Sequence, residues 1–194
     1  MVLERDGIRH VLEGARHSLF IRDVVDGIED HPAREPRAMG HTESADLATD
    51  VETLAATDWV PFRELMPTSG IFTMLAHARL TAVDREMPAS FSAPVISGLL
   101  RGEWKHDGVL VTDDFSMGAA YSSPGGLAAA GVSALNAGVD LILISYDPDL
   151  FYPVMDALIR AEADGRLQKA LLERSDRRLA AASPVNQGYA AVRP

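Results

Sequence analysis

Two aspartates stand together at Asp113-Asp114, directly after the apolar run Val109-Leu110-Val111-Thr112. A carboxylate pair that closes a buried strand lies at a partly desolvated rim, where it can act as nucleophile, base or metal ligand. The competing use is architectural. One of the two accepts backbone N–H groups of the following turn, and Asp114, one step further along, suits that use better. His77 follows a second apolar run over residues 71–76. A histidine there is either a substrate contact or a hydrogen-bonded structural residue. His41 lies in the polar stretch Gly40-His41-Thr42-Glu43-Ser44-Ala45-Asp46, where an imidazole is either simply solvated or free to move protons. His10, His17 and His106 have no partner in the pattern. No HxxxH or HExxH spacing occurs, so no metal is expected. Ser122-Ser123-Pro124-Gly125-Gly126 lacks both the Lys-Ser/Thr of a phosphate loop and the spaced glycines of a dinucleotide fingerprint, and no cofactor is expected.

Such groups work only when rigid elements aim them. Short, wholly apolar runs at 71–76, 109–112 and 141–145 read as buried strands. Between them lie helical stretches: 51–62, one from Ser92-Ala93-Pro94 to Trp104, and the Ala-rich 125–136 closed by Gly138. Two further helices, 152–163 and 167–182, follow. Ser92 is the expected N-cap of its helix, with Pro94 in the first turn. Strands apolar on both faces, alternating with helices, indicate parallel βαβ units and an α/β fold. In such folds, working residues gather where strands end at their carboxyl side. The three ends are Ala76-His77-Ala78-Arg79, Thr112 to Met117, and Ser145-Tyr146-Asp147.

Composition narrows the function classes. The chain has 194 residues, 18 Lys+Arg against 28 Asp+Glu, and a net charge of −10, which disfavours nucleic acid as a partner. It has no cysteine, which fits a reducing, cytoplasmic setting. Its first residues, Met1-Val2-Leu3-Glu4-Arg5-Asp6, do not read as a signal peptide, and no run is apolar enough for a membrane span. Residues 1–40 read as a helical lead-in of unknown role, with a loop at His31-Pro32 to Pro36-Arg37, and residues 183–194 as a flexible tail.

Several segments together carry a family resemblance. Met74-Leu75-Ala76-His77, Pro88-Ala89-Ser90-Phe91-Ser92 and Leu99-Leu100-Arg101 lead into Asp107-Gly108-Val109-Leu110-Val111-Thr112-Asp113-Asp114-Phe115-Ser116-Met117-Gly118-Ala119. Ala137-Gly138-Val139-Asp140-Leu141-Ile142-Leu143 follows at a suitable interval. Over residues 41–182 this order resembles glycoside hydrolase family 3, specifically the bacterial β-N-acetylhexosaminidases of peptidoglycan recycling. The resemblance implies a (β/α)8 TIM-barrel, of which this chain is similar to the C-terminal half. It implies retaining hydrolysis of terminal N-acetylglucosamine from cell-wall fragments, a small carbohydrate substrate. Asp113 takes the place of the nucleophile. His41 takes that of the acid/base, a histidine on a loop held by an aspartate two residues earlier. Here that earlier residue is Met39, with Glu43 and Asp46 as the nearest substitutes. His77, Asp114 and Met117 fall where the substrate is bound.

Part of a barrel leaves sheet edges and an inner face to be covered, so a homo-oligomer or a complementing barrel half is expected. A second reading is a truncated, catalytically silent relative that acts through sugar binding or protein association. A phosphate- or Mg²⁺-using domain built on Asp113-Asp114 ranks last, because no lysine stands at a strand end.

Overall fold

The computed structural model describes residues 45–67, 71–121 and 125–182. The expected lead-in, His41, Glu43 and the tail lie outside the described residues. The described part is an α/β structure in which a parallel three-stranded sheet is interleaved with helices.

The first described element is a two-residue strand, β1 (Asp46–Leu47). Next, Asp50 caps α1 (Val51–Ala56), accepting the Thr53 N–H and hydroxyl, each at 2.8 Å. The single helix expected over 51–62 is in fact two, because α2 (Val60–Leu65) starts anew with Pro61 in its first turn. Proline has no N–H to donate and would clash with the preceding turn, so the helix restarts there. Strands β2 (Phe72–Leu75) and β3 (Arg79–Leu80) follow. β3 pairs in parallel with β1, Asp46 beside Arg79 and Leu47 beside Leu80. That pairing was not foreseen, since two residues carry no periodicity.

A 3₁₀ turn over Ala89–Phe91 leads to the helix Pro94–Glu103. Ser92 caps it as expected: its Oγ accepts the Val95 N–H at 3.2 Å and its carbonyl the Ile96 N–H at 2.9 Å. The winding is wider than α, and the Trp104 N–H reaches five residues back to the Leu99 carbonyl. β4 (Val109–Asp114), α3 (Gly118–Tyr121), α4 (Gly126–Ala137), β5 (Leu141–Leu143), α5 (Phe151–Ala163) and α6 (Lys169–Ala182) complete the order. Gly138 ends α4 at φ 107°, which only glycine adopts cheaply, and its N–H bonds to the Ala134 and Leu135 carbonyls.

β4 is the middle strand of the order β2-β4-β5, all parallel. Leu75, Leu110 and Thr112 point to one face, where they are buried against helices. Ile96, Leu100, Phe115, Ala130, Ala134, Val139 and Val154 fill this core. A second cluster joins Leu54, Leu80, Val95 and Leu99, capped by Trp59 and Trp104 packed edge to face at 5.3 Å. The opposite sheet face is different. Met74, Val111 and Leu141 stand in one row across the three strands. Met74 is 55% exposed, Phe72 47% and Leu141 38%. Asp113 follows at the carboxyl end of β4, half-buried, where a bulge interrupts the strict alternation of faces.

β5 ends at Leu143 rather than at residue 145. Its register with β4 shifts between Val111 and Asp114. Within that bulge the Leu143 N–H is taken by Thr112 Oγ1 at 3.0 Å, so a side chain replaces a ladder bond.

Candidate active site

The carboxyl end of β4 treats its two aspartates differently. Asp113 Oδ1 accepts the Asp114 N–H at 2.8 Å, which fixes its rotamer against the strand that carries it. The Asp114 carboxylate faces the end of β5. It accepts the Ser116 N–H at 2.9 Å, the Ser145 N–H at 3.2 Å, the Tyr146 N–H at 3.1 Å and the Ser145 hydroxyl. Burial alone would push the Asp114 carboxyl up, but the Ser145 and Ser116 donors outweigh it and hold the group well below the usual carboxylate range. Asp114 is thus an ionised clasp between two strand ends, and its bond to the Ser116 N–H is the turn cap the sequence suggested for it. Both its oxygens are committed within the chain.

The turn that follows is fixed as well. The Met117 N–H donates to the Asp114 carbonyl at 3.0 Å, and the Met117 carbonyl accepts from Ala120. Ser116 Oγ accepts the Asp147 N–H at 2.9 Å, a second tie to the loop after β5. Met117 itself is half-buried beside this turn.

His77 lies under the same rim, 4% exposed. Its Nε2 is 3.1 Å from the Asp114 carbonyl oxygen, which can only accept, so Nε2 carries the proton. Its Nδ1, 2.6 Å from Ser90 Oγ, then accepts the Ser90 hydroxyl in the neutral ring. Phe91 and Phe115 pack on the imidazole with centroids at 5.0 and 5.8 Å. Burial lowers the His77 pKa below the ordinary value, while the Asp113 charge pulls the other way. Both nitrogens serve the chain, so the ring supports the strand end from beneath. Ser90, fully buried, was missed as a member of this site although it falls inside the quoted Pro88–Ser92 segment. Asp46, one substitute weighed for the missing dyad carboxylate, is paired with Arg79 at 2.6 Å.

The structure therefore brings together Asp113, Asp114, His77 and Met117, with Ser116 and Ser145 completing the clasp. His41 is outside the described residues.

The chain is similar to several known proteins. A beta-hexosaminidase of Tolumonas auensis is 39% identical over 109 residues, covering 55% of this chain and 32% of the relative. One from Xylella fastidiosa (strain 9a5c) is 34% identical over 151 residues, covering 72% and 44%. The solved glycoside hydrolase family 3 β-N-acetylglucosaminidase of Paenibacillus sp. superposes with a TM-score of 0.72 at 34% identity, over 80% of this chain and 30% of that one. The β-N-acetylglucosaminidase of Thermotoga maritima gives 0.67 at 27%, over 79% and 33%. The chain spans about a third of the length of the first curated relatives it matches. The family pattern described as the glycosyl hydrolase family 3 N terminal domain matches residues 11–182, beginning thirty residues before the stretch that carried the resemblance. With that match covering most of its length, and a carboxylate pair seated at the end of its central strand, the chain belongs to glycosyl hydrolase family 3.

Proposed function

We propose that this chain carries the nucleophile of a retaining β-N-acetylhexosaminidase acting on terminal N-acetylglucosamine of cell-wall fragments, in peptidoglycan recycling. The observation that carries the reading is the division of labour at β4. Asp114 is bound into the fold, while the half-buried Asp113 stands at the carboxyl end of the central strand, whose Leu110 and Thr112 are fully buried. A rigid strand fixes the direction of attack, and with it the near-attack geometry the step needs.

In this mechanism the Asp113 carboxylate attacks the anomeric carbon while His41 protonates the departing oxygen. The glycosyl–aspartate ester is then opened by water, from which His41 takes the proton, and Asp113 leaves as carboxylate. Met117 borders the sugar. Asp114 and His77, first read as sugar contacts, act by holding the strand end in place.

The open face bearing Phe72, Met74 and Leu141 is the inner wall of a TIM-barrel segment in this reading, completed by a complementing part or a second copy. Among the described residues no helix is long and apolar enough to cross a membrane, and the absence of cysteine supports a cytoplasmic setting.

The test is release of chromophore from a 4-nitrophenyl N-acetyl-β-glucosaminide by the full chain and by Asp113→Ala. Release that falls to background in the variant supports the reading. Equal release by both, or none from the full chain with or without a complementing barrel half, overturns it.

A further inference from the structure

A cleft of about 310 Å³ opens at the other end of the sheet, below the amino ends of β4 and β5. Its walls include Arg101, Lys105, His106, Asp107, Arg174 and Arg178. It lies roughly 20 Å from Asp113, six residues along an extended strand, and takes no part in the chemistry proposed there.

The floor of the cleft is a buried charge network. Asp140, whose side chain is fully buried, accepts Arg101 Nη2 at 2.8 Å and Arg178 Nη2 at 2.7 Å, and also the Leu110 N–H at 2.8 Å. Arg101 spends Nη1 on the His106 and Gly108 carbonyls at 2.9 and 2.6 Å, and its buried Nε finds no acceptor among the described residues. Arg178 also lies 3.6 Å from the exposed carboxylate of Asp107. On the rim, Lys105 and Arg174 are exposed and make no ion pair among the described residues.

Four cations therefore face two carboxylates, an excess of two positive charges in a chain whose net charge is −10. Burial, and next the charge of Arg178, lower the Arg101 pKa, so the two guanidiniums repel despite the carboxylate between them. Local backbone departures converge on the same place: the wide helical winding that supplies Arg101, and Lys105 at φ 55°.

We propose that this cleft binds a phosphate-class oxyanion. A dianion would cancel the surplus charge, and the Lys105 ammonium and Arg174 guanidinium on the rim would supply charge-assisted hydrogen bonds. The volume exceeds that of a bare phosphate and admits a phosphomonoester with a small organic part.

The experiment is calorimetric titration of the full chain with inorganic phosphate and with glucose 6-phosphate, at constant ionic strength held by sodium chloride. Saturable binding is expected for at least one ligand, weakened about tenfold or more in Lys105→Ala/Arg174→Ala. That variant removes exposed rim charges and leaves the Asp140 network whole, so its circular dichroism and melting should match the parent. Tighter binding of glucose 6-phosphate points to a phosphorylated metabolite; equal binding points to the free ion. Heats no greater than those of chloride, or affinity unchanged in the double variant, overturn the proposal.

Discussion

Asp113 and Asp114 are adjacent in sequence and linked by a 2.8 Å hydrogen bond from the Asp114 N–H to Asp113 Oδ1, yet their carboxylates do opposite work. One stands half-buried at the carboxyl end of β4, in the place proposed for the nucleophile. The other reaches 31 residues along the chain to Ser145 and ties two strand ends together. Loss of either should therefore be distinguishable by what fails.

For Asp114→Ala the expected loss is structural. Three N–H donors and a hydroxyl lose their acceptor at a site that water partly reaches, so the cost is about 1–3 kcal/mol, toward the lower end. Urea denaturation measures it. Asp114→Asn should recover part of that loss, because the amide oxygen still accepts.

His77 makes stability depend on pH. Burial holds its folded pKa below the ordinary histidine value of about 6.5, so the unfolded chain binds more protons in that range. The contribution is fully present above pH 6.5 and declines as the pH falls from there toward the folded pKa. His106, lowered first by burial and then by Arg101, adds a decline of the same sign. Melting temperature should fall between pH 6.5 and 5, less steeply in His77→Gln.

Asp140→Asn removes the charge between Arg101 and Arg178, leaving two buried guanidiniums underpaired. Breaking such a pair typically costs about 3–5 kcal/mol. A drop of that order in unfolding free energy, beside little change for Asp156→Asn in the exposed pair with Arg160, is the expected contrast.

The open face makes a different prediction. Phe72 and Met74 are about half exposed, so Phe72→Ser/Met74→Ser should leave the unfolding free energy of the chain alone within about 1 kcal/mol. If the face is a covered wall in the working assembly, the same variant should lose association with its complement. Sedimentation of the mixture measures that.

Much of the fold could be read from short-range pattern. The run 109–112 announced β4, Gly138 announced the end of α4, and Ser92 announced a cap, because each signal lies within a few residues of its effect. Pro61 was equally visible, and reading a helix through it was the error that merged α1 with α2. The β1–β3 pair was beyond reach, since its pairing joins residues 33 positions apart, as Arg79 with Asp46 shows. The same limit governed the site. Asp113 was legible from its place after an apolar strand, but the partners that decide what Asp114 and His77 do, Ser145 and Ser90, are distant in sequence. Arg101, Asp140 and Arg178 likewise gave no local sign of meeting, and the basic cleft emerged only from the fold.

The exposure of Met74, beside Val111 of the strand that carries Asp113, also bears on how far a charge near this wall is screened. A charge facing bulk water is screened by a medium of dielectric constant about 80; enclosed in protein, an effective value nearer 20 applies. Roofing this wall would thus make the same ion roughly fourfold more effective toward a developing positive centre, without moving a single atom of β4.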